Sequence, residues 1–166
     1  MYTDVDDMGT YLWEICLVTS YADVWPLYFG DPVKKGIGLR HSGWRGTVGK
    51  IGAKTVEVMK DTFGSDPADI LAAVGPSVCM DCYEVSGDVI ERVKEAFAEH
   101  LWEQLFYRKP DGKYQLDLWK ANELIFREAG IRPEHTAVTN VCPHCNSESL
   151  YSHRAAGDKR GNLCAF

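Results

Sequence analysis

The residues best suited to chemistry begin in the stretch from Ile37 to Gly46, IGLRHSGWRG. A strand-like run through Ile37 and Leu39 breaks at His41 into Ser42, Gly43, Trp44, Arg45 and Gly46, and a helical pattern starts at Thr47. Glycines at such a junction let the backbone turn sharply or approach a ligand, and a helix start presents unpaired N–H groups that favour an anion. His41 offers a metal ligand or a base, and Arg45 a planar fork for an oxyanion. The same two residues also suit a plainer role, as a hydrogen-bonded turn histidine and a surface charge. Two further blocks follow strand-like runs: Gly75 to Val85, GPSVCMDCYEV, and Leu150 to Asn162, LYSHRAAGDKRGN.

Four of the six cysteines form two pairs, Cys79-x-x-Cys82 and Cys142-x-x-Cys145. Together they could make a structural zinc site, but the 59 residues between the pairs far exceed the roughly 15 to 20 of a zinc ribbon, which argues against it. Cys142-Pro143-His144-Cys145 also has the form of a thiol–disulfide motif. Such motifs open a helix after an early strand, whereas this one lies late in the chain among Pro143 and Asn146. Cys16 and Cys164 lie in apolar runs and are expected in the core.

The elements that must position these residues alternate in type. The first ten residues are polar without periodicity and predict an irregular start. Tyr11 to Thr19 and Val24 to Phe29 read as strands, with Pro26 implying an edge or a bulge. A turn at Asp31-Pro32 leads into a strand from Val33 to Arg40. Val48, Ile51, Thr55, Met59 and Phe63 fall on one face of a helix from Thr47 to Phe63, stopped by Gly64. Ile70 to Val74 is wholly apolar and reads as a central strand. Ser86 caps a helix bearing Val89, Val93 and Phe97, whose end region, Ala98 to Phe106, holds His100 and Trp102. A turn at Pro110-Asp111-Gly112 precedes a strand from Tyr114 to Leu118. A helix from Leu118 to Ala129 is closed by Gly130, and Thr136 to Val141 is the last clear strand. This alternation predicts an α/β domain with a mixed sheet covered on both faces.

Composition narrows the class. A net charge of −6 and a pI near 5.3 exclude a nucleic-acid footprint, which needs clustered Lys and Arg. No apolar run reaches the roughly 18 residues of a membrane span, and no signal-peptide pattern opens the chain, so no membrane partner and a cytoplasmic location are expected. Six cysteines in that setting read as thiols, ligands or redox groups rather than a disulfide framework.

The three blocks, in this order, resemble the laccase-domain family, also called multicopper polyphenol oxidase or purine nucleoside phosphorylase-like proteins. The family pattern runs His-small-Gly-Trp-Arg-Gly, then Gly-Pro with Cys-Tyr-Glu-Val, then aromatic-Ser-His-Arg with a Gly-rich tail, and the likeness covers about Leu17 to Phe166. It implies a three-layer α/β/α domain with a mixed central sheet over residues 1–166. In the family a further N-terminal portion precedes this point, which leaves a short member and a fragment both open.

The resemblance implies one zinc, with copper as the alternative, on a His-Cys-His set. His41 and Cys82 match the first two ligands, and His100, 18 residues after Cys82, is the histidine nearest the third. It further implies that Arg45 and Arg154, with the Gly43 and Gly157 loops, hold phosphate or a nucleoside. Beside these motifs, His153 is a candidate to orient substrate, and Glu84 is a candidate for the proton donor that deamination needs. His41, Cys82 and Arg45 would then be the catalytic set. This chain departs from the pattern at Val24, where the family has the cysteine of Ala-Asp-Cys, and at Ala155, Ala156 and Asn162 in the tail.

The activity implied is metal-dependent phosphorolysis of purine nucleosides with adenosine deamination alongside. The family name implies copper-dependent oxidation of phenolic compounds as an alternative. A multicopper oxidase needs many more histidines than the five present, none of which forms a His-x-His pair. A non-catalytic binding domain with a relic site is the third reading.

Overall fold

The computed structural model describes residues 7–10, 12 and 15–166. The chain opens with β1 (Asp7–Thr10), β2 (Thr19–Tyr21), β3 (Trp25–Asp31) and β4 (Gly36–Ser42), followed by α1 (Trp44–Val48) and α2 (Ile51–Phe63). Next come β5 (Leu71–Val74), β6 (Glu84–Val85), α3 (Gly87–Ala96), α4 (Trp102–Leu105), β7 (Phe106–Arg108) and β8 (Tyr114–Leu116). The chain continues through α5 (Leu118–Glu128), β9 (Thr136–Val138), α6 (His153–Ala156) and β10 (Leu163–Ala165).

The central sheet has five strands in the order β1-β4-β3-β5-β9. Its first three pairings are antiparallel and β5–β9 is parallel, so the sheet is mixed, as the sequence predicts. β3 and β4 form a hairpin whose turn is held by Asp31, whose carboxylate accepts from the backbone N–H of Val33 at 2.8 Å and of Lys34 at 2.9 Å. Along β4, Gly36 and Gly38 face α2. A Cβ on Gly36 would lie 2.5 Å from the Phe63 ring, so glycine there lets the helix seat directly on the strand.

Helices α2 and α5 cover one face of the sheet, where Leu27, Phe29, Val56, Met59, Val74, Ile125 and Phe126 are buried together. Phe29 and Phe126 meet edge to face at 5.3 Å, a favoured aromatic geometry. On the other face a two-stranded ribbon, β2–β10, closes over Leu39 with Tyr21 and Ala165. Ile37 and Leu71 stay exposed on that face. A second small sheet, β6-β8-β7, joins α3 and α4 to the same large core through Ile90, Val93, Leu105 and Leu116. Among the described residues no helix is long and apolar enough to cross a membrane.

Several elements differ from the sequence reading. Of the irregular start, residues 1–6 lie outside the described residues, while 7–10 form an edge strand recruited by pairing with β4. Of the Tyr11 to Thr19 strand, Tyr11, Trp13 and Glu14 lie outside the described residues, and 15–18 pair with nothing regular. The helix expected from Thr47 to Phe63 is two helices, because Lys50 takes a left-handed conformation (φ 56°) after Gly49. Pro26 sits in an interior strand rather than at an edge. β3 pairs with β5 only from Leu27 to Gly30, so the missing N–H of Pro26 falls beyond that ladder. Cys16 and Cys164 are exposed, not core.

Candidate functional site

The turn after β4 is built by side-chain hydrogen bonds. The Thr47 hydroxyl donates to the Gly43 carbonyl at 3.1 Å and meets the Ser42 hydroxyl at 3.1 Å, and the buried Asn122 amide, anchored on the Leu118 carbonyl at 2.8 Å, reaches Thr47 from α5. These bonds fix Gly43 and Trp44 at the mouth of a cleft of about 230 Å³. Its walls include Asp23, Trp25, Gly43, Trp44, Tyr83, His153, Arg154 and Arg160, so all three sequence blocks meet there. Three larger concavities, of about 380, 460 and 350 Å³, are lined by none of His41, Arg45, Cys82, His153 or Arg154.

Arg154 is held at three points. Its backbone N–H donates to the Asp23 carboxylate at 2.8 Å, its guanidinium donates to the Glu84 carbonyl at 3.3 Å, and the guanidinium carbon lies 4.6 Å from the centre of the Tyr83 ring. Ser152 caps the short helix that presents it, accepting from the Ala155 N–H at 3.2 Å. Arg45 stacks on Trp44, with 4.3 Å between guanidinium and ring. Burial pushes the Tyr83 phenol above its usual range, and the nearby charges of Arg154 and Arg45 oppose that rise. The structure therefore places Arg154 over the Tyr83 ring and Arg45 near enough for its charge to act on the phenol, and His153 in the cleft wall.

Asp23 is a site residue that the sequence reading passed over. It is 7% exposed and adopts φ 69°, in the left-handed region that Asp tolerates better than most residues. One carboxylate oxygen holds Arg154, and the other has no hydrogen-bond partner among the described residues. Trp25 Nε1 and Arg160 Nε, from two more cleft residues, are also buried without a partner among the described residues. Unsatisfied buried groups of this kind are costly and cluster where a ligand supplies the missing bonds. The signal that could have found Asp23 was the short Ser20-Tyr21-Ala22-Asp23 stretch between two apolar runs.

The ligand trio His41, Cys82 and His100 is not gathered. Among the described residues one group of three or more possible metal-ligand atoms forms, and it is Cys79, Cys82, Cys142 and Cys145. His41 is in register with Pro26 and, by strand alternation, points to the face away from α2, opposite to Arg40 and Ser42. His100 lies exposed in a 3-10 turn over Glu99–Leu101. These residues do not fit a shared metal.

Glu84 also departs from expectation. Its carboxylate is clamped by Lys109 and Lys113, each at 2.5 Å, and these two hydrogen bonds pull its pKa down to about 2. Such a group is an anion at neutral pH and has no proton to donate.

The cysteine cluster lies behind Tyr83. Cys82 Sγ is 3.5 Å and Cys79 Sγ 3.9 Å from Cys145 Sγ, and the Cys79 N–H donates to Cys142 Sγ at 3.4 Å. All four sulfurs fall within 4.8 Å of one another, and they could hold a metal ion. Burial and the adjoining thiols raise Cys82 strongly, and burial raises Cys79. Burial acts the same way on Cys142, but the N–H groups of Cys79 and Cys145 outweigh it and bring that thiol down.

The sequence profile of the family described as multi-copper polyphenol oxidoreductase laccase matches residues 2–166. The chain belongs to that family. Among laccase-family proteins similar to it, purine nucleoside phosphorylase YlmD of Bacillus subtilis is 35% identical over 152 residues, which are 92% of this chain and 54% of that protein. Adenosine deaminase RL5, from an unknown prokaryotic organism, is 34% identical over 158 residues, 95% of this chain and 59% of that protein. The crystal structure of YlmD from Geobacillus stearothermophilus superposes with a TM-score of 0.91 at 32% identity, covering 98% of this chain and 60% of that one. The chain thus spans little more than half the length of these laccase-family relatives. At Val24, where the family pattern carries cysteine, the side chain faces Gly43, whose Cβ position is 3.5 Å away, so the substitution lies in the cleft wall.

Proposed function

We propose that this chain supplies the arginine cleft of a purine nucleoside phosphorylase, with adenosine deamination as a companion activity. The observation that carries the reading is Arg154, fixed in the cleft by Asp23, Glu84 and Tyr83, with the Arg45 guanidinium stacked on Trp44 of the same cleft. Two preorganised cations suit phosphate and the charge that develops as the bond between purine and ribose breaks. In phosphorolysis a phosphate oxygen attacks the anomeric carbon, the carbon–nitrogen bond breaks, and the purine leaves with the bonding electrons and takes up a proton. Arg45 and Arg154 would orient the phosphate. The free oxygen of Asp23 would accept from a ribose hydroxyl or a purine N–H, and Trp44 would offer an aromatic wall for the base.

The relatives named for purine nucleoside phosphorolysis and adenosine deamination support this substrate class. Incubation of purified protein with adenosine, with and without phosphate, followed by product separation, tests it. Adenine with ribose 1-phosphate, formed only when phosphate is present, supports phosphorolysis, and inosine formed without phosphate supports deamination. Neither product, under conditions in which the cleft binds adenosine, would leave a binding domain.

A further inference from the structure

We infer that Cys79, Cys82, Cys142 and Cys145 bind one zinc ion as four thiolates in a closed, structural site, which clamps the loop before Tyr83 to the loop before Arg154. Four sulfurs placed about 2.3 Å from a central zinc stand roughly 3.8 Å apart along the edges of the tetrahedron. The distances from Cys145 Sγ to Cys82 Sγ and Cys79 Sγ, 3.5 and 3.9 Å, bracket that edge. A disulfide would need its sulfurs at about 2.05 Å, and all six cysteines are free thiols.

The surroundings are those of a zinc knuckle. Each pair is spaced Cys-x-x-Cys, and each turns tightly, with the Cys82 N–H donating to the Cys79 carbonyl at 3.1 Å and the Asn146 N–H donating to the Cys142 carbonyl at 3.1 Å. The Cys79 N–H aimed at Cys142 Sγ would support a thiolate there. Each thiol gives up its proton on binding, and the net charge of −2 left on a zinc with four thiolates is offset in part by backbone N–H groups such as that of Cys79. Four protein ligands leave no open position, so the ion does no chemistry on substrate.

Its mechanical role follows from what flanks it. The two loops already meet through the Ser77 N–H donating to the Val141 carbonyl at 3.0 Å, at the mouth of the parallel β5–β9 pair. Beyond Cys82 the first loop runs directly into Tyr83, and beyond Cys145 the second reaches Ser152 and Arg154, which lies over that ring. A zinc between them would fix the phenol and guanidinium relative to each other.

The test is metal analysis of protein purified without chelator, together with cobalt substitution. One zinc per chain is expected, released by a mercurial thiol reagent, and the cobalt form should show thiolate-to-cobalt charge transfer with the visible bands of a tetrahedral ion. Cys82→Ser and Cys145→Ser should retain at least tenfold less zinc than the parent, while His41→Ala and His100→Ala retain the full complement. Because a serine variant can fail to fold, Cys145→His serves as the second arm. It keeps a ligand and should hold zinc with a shifted cobalt spectrum. Zinc lost in the His41 or His100 variant, zinc kept in Cys145→Ser, or a cobalt spectrum without thiolate charge transfer would overturn the inference. None of these readouts depends on nucleoside turnover.

Discussion

Arg154 lies over the ring of Tyr83, its guanidinium carbon 4.6 Å from the ring centre. The two residues are far apart in sequence, Tyr83 directly after the first cysteine pair and Arg154 nine residues after the second, and their contact forms a wall of the cleft. Arg154 itself is exposed, so a cation–ring contact of this kind contributes about 0.5 to 1 kcal/mol while orienting the fork of the guanidinium.

Removing either arginine should separate the two activities proposed for the cleft. Arg154→Ala and Arg45→Ala are expected to lower turnover with phosphate by roughly ten- to a thousandfold, chiefly through phosphate. Deamination, which uses no phosphate, should fall much less. Steady-state assays of both reactions on each variant measure this, and equal losses in both would count against the phosphate role.

Asp23 can be tested without disturbing its backbone. Asn tolerates the left-handed conformation, so Asp23→Asn should fold with little change in melting temperature while weakening nucleoside binding, read as a raised KM. Asp23→Val places a β-branched residue at φ 69° and should cost about 1 to 2 kcal/mol of stability in addition. Calorimetry beside kinetics distinguishes the two effects.

The clamp on Glu84 predicts a pH dependence. Its folded pKa of about 2 lies below the usual 4.5, so its pairing with Lys109 and Lys113 stabilises the fold above pH 4.5 and is lost as pH falls toward 2. The stability difference between parent and Glu84→Gln in denaturant unfolding should be constant near neutrality and vanish across that window. Deamination should survive in Glu84→Gln, and its loss would restore the carboxyl as the proton donor.

Packing of α2 on α5 gives a prediction in which two effects oppose. Gly52→Ala should gain up to about 1 kcal/mol of helix propensity. Its Cβ would stand 2.9 Å from the ring of Phe126, which is fully buried and cannot swing away. Overpacking of this kind costs about 1 to 3 kcal/mol, so net destabilisation is expected, seen as a lower melting temperature.

Much of the scaffold was legible in the chain itself. The hairpin of β3 and β4 follows from apolar runs around Asp31-Pro32, α5 from its periodicity and Gly130, and the meeting of the three blocks at one cleft from the family pattern. The first two features are local, and the third is carried by motifs.

What only the tertiary structure decided depends on pairing between distant segments. The 59-residue gap argued against one zinc site, yet the parallel pairing of β5 with β9 lays the two cysteine loops side by side, because a crossover connection returns a distant segment to an adjacent strand. The same holds for Glu84, which is paired with Lys109 and Lys113 because β6, β8 and β7 form one sheet. It holds as well for His41, whose direction follows from strand alternation in its pairing with Pro26. Spacing along the chain fixes which residues share a helix or strand face, but long-range hydrogen-bond register fixes which of those faces meet.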